Sequence, residues 1–127
     1  MATWQQVKSY IYSNYTVSND DGVTLTLLFE TEAGRSQMIM VGYVDAGNFS
    51  SVVFSSPVAE WSQVSADRVL RATEGVGVGV RSIGNYIVAH HAQLAASIDE
   101  AEIDLPLVLI VNQADQLEKS LGLGDQF

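Results

Sequence analysis

The chain has 127 residues, 47% apolar and 17% charged, with no cysteine. That is enough apolar material for one core and too little charge for a disordered chain, so residues 1–127 are read as a single folded domain. Six Lys and Arg face fifteen Asp and Glu, a net charge of −9, which repels phosphate backbones and anionic lipid surfaces and leaves neither nucleic acid nor membrane as an expected partner.

The absence of thiols excludes disulfides, thiol nucleophiles and thiolate metal sites together. The first twelve residues carry one Lys and no apolar run of the signal-peptide kind. The longest continuous apolar stretch, Leu105 to Val111, falls far short of the roughly 20 residues a membrane span needs. A cytoplasmic location is the expectation, and the sequons at Asn14 and Asn48 carry little meaning there.

Thr3 followed by Gln6 has the spacing of a capping box, and Trp4, Val7 and Ile11 then recur at helical spacing. A first helix over 3–13 is predicted, its stripe buried because so short a helix is marginal alone. From Tyr15 the period changes to two: Val23, Leu25, Leu27 and Phe29 alternate with Thr24, Thr26 and Glu30. Turn signals recur at Asp21-Gly22, Ala33-Gly34 and Asp45-Ala46-Gly47-Asn48. Four antiparallel strands follow as a meander, at 14–20, 22–31, 35–44 and 49–58. Pro57 donates no ladder bond and is expected near a strand end or on an edge.

Ser65 opens a short helix ending at Gly75, with Val69, Leu70 and Thr73 facing inward. Two strands, 76–82 and 86–94, are joined by Ile83-Gly84-Asn85. Pro106 is compatible with a helix in its first turn, so the last helix is expected to begin near Asp104. Leu107, Ile110, Ala114, Leu117 and Leu121 form its apolar stripe and Gly122 ends it. The fold class is therefore α+β: an antiparallel sheet of about six strands in α-ββββ-α-ββ-α order, with helices mainly on one face.

The polar motifs read as structural. Gly75-Val76-Gly77-Val78-Gly79-Val80 lacks the phosphate-loop spacing, and fits a strand with Val on one face and a smooth Gly face. His90 and His91 are consecutive in a strand, so their rings point to opposite faces and cannot readily chelate one ion. From Asp99 onward seven acids face one Lys. Asp99, Glu100, Glu102 and Asp104 lack the ligand spacing of a calcium loop and fit a helix N-terminus, where negative charge is favoured. No catalytic constellation, metal site or cofactor site is predicted.

The informative feature is the second face of the sheet. If the turn after Thr31 has three residues, Leu28, Met38 and Met40 share the face opposite Val23, Leu25, Leu27 and Phe29. If it has two, Leu28, Ile39, Val41 and Tyr43 do. Either register leaves apolar side chains on both faces, more than a sheet with one wet face carries. One account is cover by helices or by the C-terminal tail; the other is a contact surface for a protein partner or a second copy. Leu28, Met38 and Met40 are the candidate contact residues.

The element order, the strand end Phe54-Ser55-Ser56-Pro57 and the helical segment Ala114-Asp115-Gln116-Leu117-Glu118 resemble the YbjN-like family. Its members are bacterial domains described as sensory transduction regulators, with a type III secretion chaperone-like fold. The resemblance implies an antiparallel sheet backed by helices and a non-enzymatic, regulatory or chaperone-like protein-binding role. The family brings no agreed activity and no established site residues to carry over. The alternative from another class is a small-molecule-binding domain or enzyme, with a pocket between sheet and helices near His90 or His91.

Overall fold

A computed structural model describes residues 3–32, 34–74 and 77–122. The order along the chain is helix α1 (Trp4–Asn14), strands β1 (Val17–Asp20), β2 (Thr24–Glu32), β3 (Arg35–Val44) and β4 (Ser51–Glu60), helix α2 (Ala66–Ala72), strands β5 (Gly79–Ile83) and β6 (Tyr86–Leu94), and helix α3 (Ala101–Ser120). The strands form one six-stranded sheet in the order β1-β2-β3-β4-β6-β5, every pairing antiparallel. This is the expected α+β arrangement.

Local chemistry starts each helix where the sequence indicates. The Thr3 hydroxyl accepts from the Gln6 amide while the Gln6 side chain accepts from the Thr3 amide, closing the capping box. Val7 and Ile11 are buried, and Trp4 stacks on Tyr43 at 5.8 Å and donates its indole N–H to the Gly22 carbonyl. That carbonyl is available because Gly22 turns the β1–β2 hairpin at φ +99, which a side chain would disfavour. Strand β1 begins only at Val17, since Tyr15 is the C-cap of α1 and its amide donates to the Ile11 carbonyl.

The core lies between one sheet face and the helices. Leu25 and Leu27 of β2, Ile39 and Val41 of β3, Val52 and Phe54 of β4, and Ile87 and Ala89 of β6 meet Val7, Ile11, Ile103, Leu107, Ile110, Ala114, Leu117 and Leu121 in one buried cluster. The expected stripe of α3 is thus buried throughout.

Three expectations are corrected. Pro57 sits in β4, an interior strand between β3 and β6, rather than at an end or edge. A bulge between Pro57 and Ala59 turns both Val58 and Ala59 into the core. Beside it, the Ser56 hydroxyl donates to the Met38 carbonyl at 2.6 Å, and the buried Gln37 amide donates to Ser56 Oγ at 2.6 Å and to the Pro57 carbonyl at 3.1 Å. Side chains thus make bonds where the ladder is broken.

Helix α3 begins at Ala101, not Asp104, so Pro106 lies in its second turn. The earlier start brings Ile103 into the core, and the first turn is held by Asp99, whose Oδ1 accepts from the Glu102 amide at 3.0 Å. Burial and capping together offset the backbone bond that proline removes. Leu70, expected inside, is 64% exposed. The seven residues of α2 present too narrow a face to bury more than Val69 fully, with Ala72 packed beside it. Gly75 and Val76, on which the end of that helix and the start of the following strand were read, lie outside the described residues.

Candidate functional site

Register decides which side chains share the second sheet face. Leu28 pairs with Met38, Thr26 with Met40 and Thr24 with Gly42, the register expected of a three-residue turn; Glu32 pairs with Arg35, however, so two residues join the strands and a bulge between Glu30 and Glu32 sets that register. Met40 pairs with Ser55, Ser55 with His90 and His90 with Gly79, so one row of side chains crosses five strands. On one side of it Leu28 pairs with Met38, and Pro57 with Val88 and Val88 with Arg81; the row on the other side carries Thr24, Gly42, Val53 and Ala92.

Leu28, Met38 and Met40 therefore lie on one face, opposite Leu25, Leu27 and Phe29. Leu28 is 61% exposed and the two methionines are half-buried; none of the three belongs to the core cluster or to the partly buried residues packed on it. The same holds for Val53, and for Val88, which is only 1% exposed yet outside that cluster. Val88, Pro57 and Ser55 on this face are buried.

The middle of this face is uncharged, in a molecule of net charge −9. Charge appears at its margins, with Glu30 beyond Leu28 on β2, Arg81 on edge strand β5, and Glu60 at the end of β4 beside Tyr86. Arg81 approaches the His90 ring at 3.4 Å. Desolvation first, and then the charge of Arg81, hold the His90 imidazole below its ordinary pKa and so favour its neutral form.

The remaining polar groups tie elements together. His91 faces the core side, its ring 6.3 Å from Phe54 and its Nε2 3.2 Å from Gln93 Oε1, so the two histidines do point apart. Gln93 in turn donates to Glu102. Tyr10 and Tyr15 both donate hydroxyl hydrogen bonds to Asp104. The four acids around the start of α3 are thus divided among different partners or left in water, and no three His, Asp or Glu side chains among the described residues are grouped to hold a metal ion.

Asp115 and Glu118, in the segment that carries the family resemblance, are both buried. Asp115 accepts from Arg35 Nε at 2.9 Å, its Oδ1 lies 2.8 Å from Arg35 Nη2, and Lys119 stands 3.5 Å from its other oxygen. Their spacing from Val111, four and seven residues on, was the available signal, since it places all three on one helix face.

Clefts open on the surface among the described residues. One, of about 750 Å³, lies between α1 and residues 98–103 and is lined by Gln5, Ser9, Ser13, Asn14 and Glu100 among others. The other, of about 470 Å³, runs along β2 beside Asn14 and Thr16. Neither includes His90 or His91. No helix among the described residues is long and apolar enough to cross a membrane.

The fold has a counterpart among solved structures. A chain of the structure described as "Structure of the HopA1-SchA Chaperone-Effector Complex" matches it with a TM-score of 0.63 over 89% of this chain and 90% of that chain, at 8% identity. The two chains therefore share a fold. The chain matches no family profile and no curated protein by sequence.

Proposed function

We propose that the chain is a non-enzymatic protein-binding module, regulatory or chaperone-like, whose contact surface is the sheet face built from Leu28, Met38 and Met40. Apolar side chains with no place in the core, set in an uncharged field on an otherwise acidic molecule, carry this reading. Exposed contiguous apolar surface is costly for a soluble protein and marks interaction sites. The occupant with matching chemistry is an uncharged, apolar segment of another polypeptide. Methionine suits such a role because its flexible thioether adapts to different partners.

The fold shared with a chain of a chaperone–effector complex supports a protein partner, though fold alone is a coarse guide to function. Within this reading the chain is a bacterial, cytoplasmic protein of the YbjN-like kind, working without cofactor, nucleic acid or membrane.

The test is affinity capture from cells with the wild type and with the double variant Met38→Ser/Met40→Ser. Polypeptides held by the wild type and lost by a variant of unchanged melting temperature are the expected result. A variant that retains every captured polypeptide removes this face from the function.

A further inference from the structure

Sulfur is scarce in this chain, which has no cysteine and three methionines. Met1 lies outside the described residues, and the other two, Met38 and Met40, stand on the same face of β3. Residues two apart on a strand are separated by about 6.7 Å and point the same way, so the two thioethers have overlapping reach. Met40 pairs with Ser55 of β4, and Ser55 with His90 of β6. The imidazole therefore faces the methionines across one small residue, with about 10 Å between the outer backbones. Methionine's three rotatable bonds let its sulfur lean into that space. The strands beneath are fixed, since the Ser56 hydroxyl donates to the Met38 carbonyl at 2.6 Å.

His90 offers the third donor. Its Nε2 lies 3.4 Å from Nη1 of Arg81. A guanidinium carries donors and no acceptor, so this contact is a hydrogen bond only where Nε2 bears a lone pair. That is the electron pair a metal ion takes from imidazole.

We propose that Met38, Met40 and His90 form a three-coordinate site above Ser55 for a soft monovalent metal ion, Cu(I). Three side chains closing over Ser55 also account for its being only 6% exposed on a face outside the core. Thioethers and imidazole are the soft and intermediate donors that suit Cu(I). Zinc sites draw on thiolate, imidazole and carboxylate, and calcium takes several oxygens. The row Thr26, Met40, Ser55, His90 and Gly79 holds neither thiolate nor carboxylate.

Charge points the same way. Three neutral donors leave the ion's charge uncompensated, and a half-buried apolar setting penalises one positive charge less than two. The net charge of −9 draws cations to the molecule. Arg81 opposes binding locally, because it holds the Nε2 lone pair and must give it up. Its side chain is exposed and free to turn into water. The site goes beyond the protein-contact reading and does not depend on it, although both use the two methionines.

The test is a titration of the full chain, carbon-13 labelled at its methionine methyls, with Cu(I) kept reduced in the absence of oxygen. One ion per chain is expected, shifting the Met38 and Met40 methyl resonances together and leaving that of Met1 in place. Competition with a chromogenic Cu(I) chelator then ranks the variants. His90→Gln, Met38→Leu and Met40→Leu should each weaken binding by about tenfold or more at unchanged melting temperature. Arg81→Ala should strengthen it, and His91→Gln, on the opposite face, should leave it unaltered. The double variant Met38→Leu/Met40→Leu keeps the face apolar, so it is expected to lose the ion while retaining captured polypeptides. Methyl resonances that stay in place under excess Cu(I), a shift confined to Met1, or an affinity indifferent to His90→Gln overturns the proposal.

Discussion

Arg35, at the first position of β3, and Asp115, in the fourth turn of α3, meet by two guanidinium nitrogens at 2.8 and 2.9 Å from one carboxylate oxygen. Eighty residues separate them in sequence, so the contact fixes the angle at which α3 crosses the sheet. Both side chains are largely buried, and removing one partner leaves an uncompensated charge. Asp115→Ala is expected to cost about 3 kcal/mol of unfolding free energy, whereas Arg35→Met combined with Asp115→Leu should recover most of it. Urea denaturation of the wild type and the two variants checks this. An equal loss in the single and double variants would show that the ion pair is not what holds the helix.

Ser56 and Ser55 are neighbours in β4 with unlike roles. Ser56 is fully buried on the core side, donating to the Met38 carbonyl and accepting from Gln37. Ser55 lies on the other face. Ser56→Ala strands a carbonyl and an amide beside Pro57 and should cost about 1–2 kcal/mol, while Ser55→Ala should change stability by less than about 0.5 kcal/mol. Thermal unfolding of the pair separates the two; equal effects would mean that Ser56 does not patch the ladder.

Much of the arrangement is legible from the chain itself, because burial on alternate positions leaves a period of two and burial on a helix face a period near 3.6. Leu25 and Leu27, or Leu107, Ile110 and Ala114, announce their environment by spacing. What escapes is where a distant partner overrides a local rule. Pro57 reads as an edge residue until Ser56 and Gln37 supply the bonds it lacks. Pro106 reads as a helix start until Asp99 and buried Ile103 are seen to extend α3 past it. Asp115 reads as a solvated acid because Arg35 lies far away in the sequence. The candidate surface was legible in part: alternation puts an apolar set on each face, but the register that groups Leu28 with Met38 depends on a bulge between Glu30 and Glu32 that no local pattern announces.

Leu27 and Leu28 give the sharpest contrast between core and surface. They are adjacent in β2 and point to opposite faces, 1% and 61% exposed. Leu27→Ala should destabilise by about 2–5 kcal/mol through lost burial and the cavity left behind. Leu28→Ser should stay within about 0.5 kcal/mol of the wild type for the isolated chain. Chemical denaturation measures both. A large loss for Leu28→Ser would place that side chain in a buried environment and remove it from any contact surface.

Tyr10 links α1 to α3 through its 2.6 Å hydrogen bond to Asp104, 94 residues away. That bond, followed by desolvation and the nearby carboxylate charge, pushes the phenol up to about 12 from an ordinary value of 10.0. Tyr15 is raised as well, by burial first and then by its own hydrogen bond to Asp104. The protonated phenol is the form the fold prefers, so the contribution is complete below pH 10 and declines as pH climbs through the folded-state value near 12. Stability should therefore be insensitive to these groups at neutral pH and fall steeply above pH 10. Tyr10→Phe, which has no proton to lose, should flatten that fall while lowering stability at pH 7. Urea midpoints for the two proteins between pH 7 and 11.5 decide it: parallel curves over the alkaline range would show that the Tyr10–Asp104 bond does not couple α1 to α3 in solution.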